Sequence, residues 1–150
     1  MTIYFGADHR GFQLKEKLKA ALVAKGYEVA DLGATTLVPD DDYPEYAAAV
    51  AEHIGRAPEV SRGILVCGSG AGMDITVNKF RYIRSVLGFK SDQVYAARHD
   101  DDVNVLTIAA DYTDEDEAQK MVTVFLSTPF ASDVARYLRR VGKVIQIDES

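Results

Sequence analysis

The sequence predicts an α/β fold on a parallel sheet, and three observations point to it. Short apolar runs alternate with longer amphipathic ones along the chain. Polar clusters follow the first, third and fifth apolar runs: Asp8-His9, Cys67 to Gly72, and Asp111-Tyr112. This is where ligands gather in such folds, outside the carboxyl ends of the strands. No repeat, low-complexity stretch or linker divides the 150 residues, a length that suits one domain with a full core.

The elements follow in order. Ile3 to Gly6 is a short strand-like run. Gly11 to Lys25 reads as a helix with Leu14, Leu18, Ala21 and Leu22 on one face, and Gly26 stops it. Tyr27 to Leu32 is a second strand, ended by Gly33, and a polar loop runs from Ala34 to Tyr43. Pro44 can open a helix in its first turn, with Tyr46, Val50 and Ile54 as its apolar face. Ile64 to Val66 is the third strand, followed by a glycine-rich turn and a helix. Ser85 to Phe89 and Val105 to Ala109 are the fourth and fifth strands, separated by a helix over Asp92 to Asp100. Thr113 with Asp116 has the spacing of a capping box, for a helix reaching about Leu126. A last helix covers roughly Ser132 to Val141. Together these imply a single-domain, Rossmann-like, three-layer α/β/α sandwich with a five-stranded parallel sheet.

Composition narrows the partners. An apolar fraction of 47% and a charged fraction of 27% are ordinary for a globular protein. A net charge of −6 argues against nucleic acid, whose backbone demands clustered positive charge. No apolar stretch is long enough to span a membrane. The charged N-terminal segment is not a secretion signal, and a single cysteine excludes an internal disulfide framework. A cytoplasmic location is expected.

The chemistry concentrates at Cys67-Gly68-Ser69-Gly70-Ala71-Gly72, where an apolar strand runs into a glycine turn. Alternate glycines let several backbone N–H groups approach one small anion. A thiol beside them can ionise and act as nucleophile or base. The alternative is a buried core cysteine before a tight structural turn. The spacing is neither that of a dinucleotide-binding turn nor that of a P-loop. Asp8-His9-Arg10-Gly11 reads either as ligand contacts or as an N-cap with solvated neighbours. Arg136 and Arg140 share a helix face, as a phosphate clamp or as a solvated basic face. His99-Asp100-Asp101-Asp102 reads better as a solvated acidic helix end than as a metal site, and Asp40-Asp41-Asp42 reads as loop.

These motifs occur in order with Asp42-Tyr43-Pro44-Glu45-Tyr46-Ala47, Asn78-Lys79, Asn104-Val105-Leu106 and Arg136-x-x-Arg139-Arg140-Val141. From about Ile3 to Val144 the chain resembles the family of type B ribose-5-phosphate isomerase and galactose-6-phosphate isomerase. The resemblance implies aldose–ketose isomerisation of a sugar phosphate without metal or organic cofactor. It implies that Cys67 moves a proton between C2 and C1 through an enediolate. Gly68, Gly70 and Gly72, with the Ser69 hydroxyl, would stabilise the oxyanion. Asp8, His9 and Tyr43 would hold the sugar, and Arg136 and Arg140 the phosphate. It further implies a dimer or tetramer in which the last helix, about 132–141, packs on a partner and completes its site.

Four positions depart from the family pattern. Asp100-Asp101 stand where relatives have a ring-opening His-Asn pair, which gives Asp100 a catalytic and Asp101 a substrate-binding expectation. Asp111 stands where relatives carry a phosphate-binding Arg, and a carboxylate there repels phosphate; Arg10 and Arg98 are the candidate replacements. Tyr137 stands where many have His. The rival readings are an isomerase of a different or unphosphorylated sugar and a catalytically inactive sugar-phosphate-binding regulator.

Overall fold

The computed structural model describes residues 1–150. Five strands form one all-parallel sheet in the order β2-β1-β3-β5-β4. They are β1 (Thr2–Ala7), β2 (Glu28–Asp31), β3 (Ser61–Cys67), β4 (Ser85–Gly88) and β5 (Val105–Ala109). The helices are α1 (Phe12–Ala24), α2 (Tyr43–Arg56), α3 (Ala71–Val77), α4 (Ser91–Asp101), α5 (Glu115–Ser127) and α6 (Ala135–Glu149).

Central strands of a parallel sheet are covered on both faces, so they read as continuous apolar runs. Ile64, Leu65 and Val66 of β3 are fully buried, as is Leu106 of β5. One face carries Leu18 and Leu22 of α1, Val94 of α4, and Met121, Val122 and Phe125 of α5. The other carries Val50 and Ile54 of α2 with Met73 and Val77 of α3, and Cys67 belongs to this cluster. The three-layer sandwich is as expected.

The chain crosses from β2 over β1 to β3, so the direction of winding reverses between β1 and β3. The crevice at such a reversal is the natural ligand site of an open α/β sheet. The pairing of Ala7 with Val66 brings Asp8 and Cys67 side by side at its mouth.

Two boundaries differ from expectation. Asp114, not Thr113, caps α5: its carboxylate accepts from Glu117 N at 2.8 Å, so the Ser/Thr/Asp-x-x-Glu logic holds one residue later. The last helix begins at Ala135 and runs to Glu149, well beyond Val141. Gly142 does not stop it, because Leu138, Val141, Val144 and Ile147 continue the apolar spacing of three to four residues. Its end is tied down where Asp148 Oδ2 accepts from Tyr82 N.

Candidate active site

The site grows from the backbone turn after β1. Asp8 is buried, and its Oδ1 accepts from Arg10 N and Gly11 N, each at 3.0 Å. Asp8 thus closes the turn ahead of α1, whose own N-cap, Gly11, takes no side-chain hydrogen bond, and the turn aims the next residues. His9 is held by a residue of the distant loop: Asp41 Oδ1 accepts from His9 N at 2.9 Å and lies 2.8 Å from Nδ1. That hydrogen bond raises the imidazole pKa above its ordinary value; burial opposes it, and the carboxylates of Asp8, Asp41 and Asp40 add to the rise. One ligating atom each from Asp8, His9 and Asp41 lies within 4.8 Å of the others, a spacing that would admit a cation. The hydrogen bonds just described already account for the grouping.

Arg10 reaches across to the glycine turn. A Cβ on Gly68 would lie 2.1 Å from Arg10 Cζ, so glycine is what lets the guanidinium settle there. Arg10 forms an ion pair with Asp111 at the end of β5. Asp111 N in turn donates to Gly68 O at 3.1 Å. Asp111 is therefore paired with a cation of its own subunit rather than standing alone at the crevice. Arg98 is corrected as a replacement cation. It is buried between α4 and the start of β5, where it donates to Asp102, Val103 O and Thr128 O.

The glycines have separate structural reasons. Gly70 has φ +77, a left-handed conformation that opens α3, and a Cβ there would strike Leu87 at 2.4 Å. A Cβ on Gly72 would meet the Tyr43 ring at 2.5 Å, so Tyr43 lies directly on the turn. Ser69 is exposed, and its hydroxyl is 3.4 Å from Ala71 N. Cys67 is only 4% exposed. Burial and the Asp8 carboxylate push its thiol pKa up, against the backbone N–H groups of Met73 and Gly70 and the Arg10 cation. The turn's N–H groups therefore do not by themselves bring the thiol pKa down in the isolated subunit.

Asp8, His9, Tyr43, Cys67, Gly68, Ser69, Gly70 and Gly72 thus converge at one crevice. Asp100, Asp101, Arg136 and Arg140 do not join them. Helix α4 descends antiparallel to the strands, and the chain re-enters the sheet at Asn104, whose carbonyl accepts from Gly63 N near the start of β3. That places Asp100 and Asp101 at the opposite edge of the sheet from Cys67, on the order of 15 Å away along the strands. There His99 Nδ1 lies 2.7 Å from Asp100, and its ring stacks on Tyr95 and meets Tyr137 edge-on. Arg136 lies over the Tyr137 ring. Asp41 is the residue sequence reasoning passed over. It bonds across 32 positions, a pairing that no local spacing announces.

The family described as Ribose/Galactose Isomerase matches residues 3–144. The chain is 38% identical over 143 residues to the probable ribose-5-phosphate isomerase B of Mycoplasma pneumoniae, covering 95% of this chain and 92% of that one. It is 36% identical over 147 residues to ribose-5-phosphate isomerase B of Escherichia coli strain K12, covering 98% and 96%. Among solved structures, ribose-5-phosphate isomerase B from Mycoplasma genitalium with bound ribulose-5-phosphate superposes with a TM-score of 0.95 at 31% identity, covering 99% and 97%. With a crevice of matching fold and a match over nearly the whole chain, the protein belongs to the ribose/galactose isomerase family and is an isomerase.

Proposed function

We propose that the protein interconverts ribose 5-phosphate and ribulose 5-phosphate, with Cys67 as the proton carrier. The observation that carries this reading is the Cys67 thiol at the carboxyl end of β3, beside Asp8 and within reach of the Gly70 and Met73 N–H groups. Relatives named for that reaction support the choice of sugar. In the forward direction the Cys67 thiolate takes the C2 proton. The C2–H electrons form the C1=C2 bond, and the aldehyde oxygen becomes the enediolate oxyanion. The exposed Ser69 hydroxyl and the turn's N–H groups would stabilise it. The O2 hydroxyl proton passes to O1, by way of the Ser69 hydroxyl or solvent; the thiol then returns its proton to C1, and the carbonyl reforms at C2. The raised thiol pKa means the free enzyme holds most of its Cys67 protonated at neutral pH, so thiolate formation is part of the barrier. The test is conversion of ribose 5-phosphate measured beside galactose 6-phosphate and free ribose. Ribose 5-phosphate as the best substrate supports the reading; turnover of the free sugar alone would overturn it.

Two copies would complete each site. Asp100, Asp101, Arg136 and Arg140 lie at the far edge of the sheet, so they reach a Cys67 only in another subunit. Helix α6 supports such pairing: only Val141 on it is buried, while Leu138, Val144 and Ile147 are exposed, Ile147 at 73%. Apolar side chains repeated along one helix suit a partner surface. A heterodimer of Cys67→Ala and Arg140→Ala subunits should therefore regain activity that neither homodimer has, because one of its two sites is intact. Purified heterodimers without complementation would refute shared sites.

Arg10 is the proposed phosphate-side cation of the crevice, held in check by Asp111. Asp111→Asn should lower KM for ribose 5-phosphate severalfold with little change in kcat. An unchanged KM would return phosphate binding to Arg136 and Arg140 alone.

A further inference from the structure

We propose that Asp41 is a positioning residue for the isomerase reaction, clamping His9 at both its backbone N–H and its ring so that a charged imidazole faces the sugar phosphate. The inference rests on the sugar-phosphate reading above, and it stands on geometry. Asp41 belongs to the loop before α2, yet its side chain is only 6% exposed. One oxygen serves His9 twice, accepting from the backbone N–H and facing Nδ1. The other oxygen is buried with no close hydrogen-bond partner, and the Tyr46 hydroxyl stands near the carboxyl. A buried carboxylate left half-satisfied is costly unless a cation compensates it. The imidazolium of His9 is that cation.

The ring is fixed by this contact. With Nδ1–H donated to Asp41, Nε2 lies on the opposite edge of a ring that is one-third exposed. Nε2 makes no hydrogen bond within the subunit. A neutral imidazole in this tautomer would present Nε2 as an acceptor, whereas the imidazolium presents a charged donor. The donor suits a phosphorylated, hydroxyl-rich ligand. The charged groups facing His9 are Asp8 from the end of β1 and Asp40 and Asp41 from the loop; Tyr46 of α2 stands beside Asp41. All three carboxylates favour the cation.

The sign follows. His9 is held charged above the ordinary imidazole range, so Asp41→Asn should bring its titration back toward that range. The amide oxygen of Asn can still accept from the backbone N–H, and the ring can still dock. Below about pH 6 His9 is charged in both proteins, and KM for ribose 5-phosphate should be nearly equal. As pH rises past the ordinary imidazole value, the variant loses the cation before the unmodified protein does, and over that window its KM should rise by up to about tenfold, the value of a charge-assisted hydrogen bond. A purely structural loss at position 41 would raise KM at every pH. The tests are the KM–pH profile of both proteins and titration of the His9 ring by NMR without substrate. Nitrogen shifts of the unmodified protein supply a second reading that needs no variant: Nδ1 must carry the proton when the ring is neutral. A His9 titration unmoved by Asp41→Asn, a pH-independent KM defect, or a neutral ring protonated at Nε2 would each overturn the proposal. If ribose 5-phosphate is not turned over at all, the substrate assignment fails, and the NMR results still decide whether Asp41 sets the state of His9.

Discussion

Replacing Cys67 with alanine is expected to lower kcat by about 10²-fold or more, since a positioned acid–base group supplies 10²–10⁴. The fold should survive. The side chain lost is small, and Leu65, Met73 and the other members of the α2–α3 cluster remain in place. Steady-state turnover and circular dichroism on the same preparation separate the two effects. Cys67→Ser is the sharper variant. It keeps the shape and a proton but raises the pKa of the carrier far above that of a thiol, so it should be as impaired as alanine. Near-full activity in either variant removes Cys67 from the mechanism and leaves it as a core residue before a turn.

The second large effect is on stability. Lys15 of α1 is fully buried (0% exposed), with Nζ at 3.0 and 2.8 Å from the two oxygens of Asp31 and 2.8 Å from Ala34 O. Asp31 ends β2, so the contact ties the edge strand to α1. Burial works to raise the Asp31 pKa, but hydrogen bonds from Lys15, Lys19 and Gly33 N outweigh it and hold the carboxyl below its usual range. A depressed carboxylate contributes stability above its unfolded pKa near 4 and loses it as pH falls through the folded value. Removing one partner of a buried pair costs about 3–5 kcal/mol. Lys19 Nζ remains 2.6 Å from Asp31 Oδ2, which puts Lys15→Met at the lower end, about 3 kcal/mol. At this chain length that is a fall of roughly 10 °C in Tm at pH 7. The difference from the unmodified protein should begin to shrink as pH falls below about 4, the unfolded carboxylate value, and be lost once pH has passed through the lower folded value of Asp31. A Lys15→Met protein with unchanged Tm at pH 7 would show that Lys19 alone carries the pair.

The architecture was legible because the strands advertise themselves. Ile64-Leu65-Val66 could only be a strand covered on both faces, and Cys67 followed by alternate glycines marked its carboxyl end. The residues that converge at the crevice were legible for the same reason: each lies within a few positions of a strand or helix end. What escaped depended on contacts distant in sequence. Asp41 meets His9 across 32 positions, and Arg10 meets Asp111 across 101. Neither pairing has a periodicity or motif to reveal it. The glycine turn shows a subtler gap. Its spacing suggested anion binding, yet Gly68 and Gly72 are also required by the side chains of Arg10 and Tyr43 that lie against them. The length of α6 was missed at Gly142, where a local propensity yielded to an apolar stripe that continues to Ile147.

The central claim is that Cys67 carries a proton between C2 and C1, and equilibration of ribose 5-phosphate in deuterium oxide tests it most directly. A thiol exchanges its proton with solvent, so the unmodified protein should place deuterium at C1 of the ketose and C2 of the aldose as the two interconvert, visible by NMR. The Cys67→Ala variant should show almost none over the same interval. Full conversion without deuterium uptake, or labelling by the alanine variant at the rate of the unmodified protein, would contradict the account.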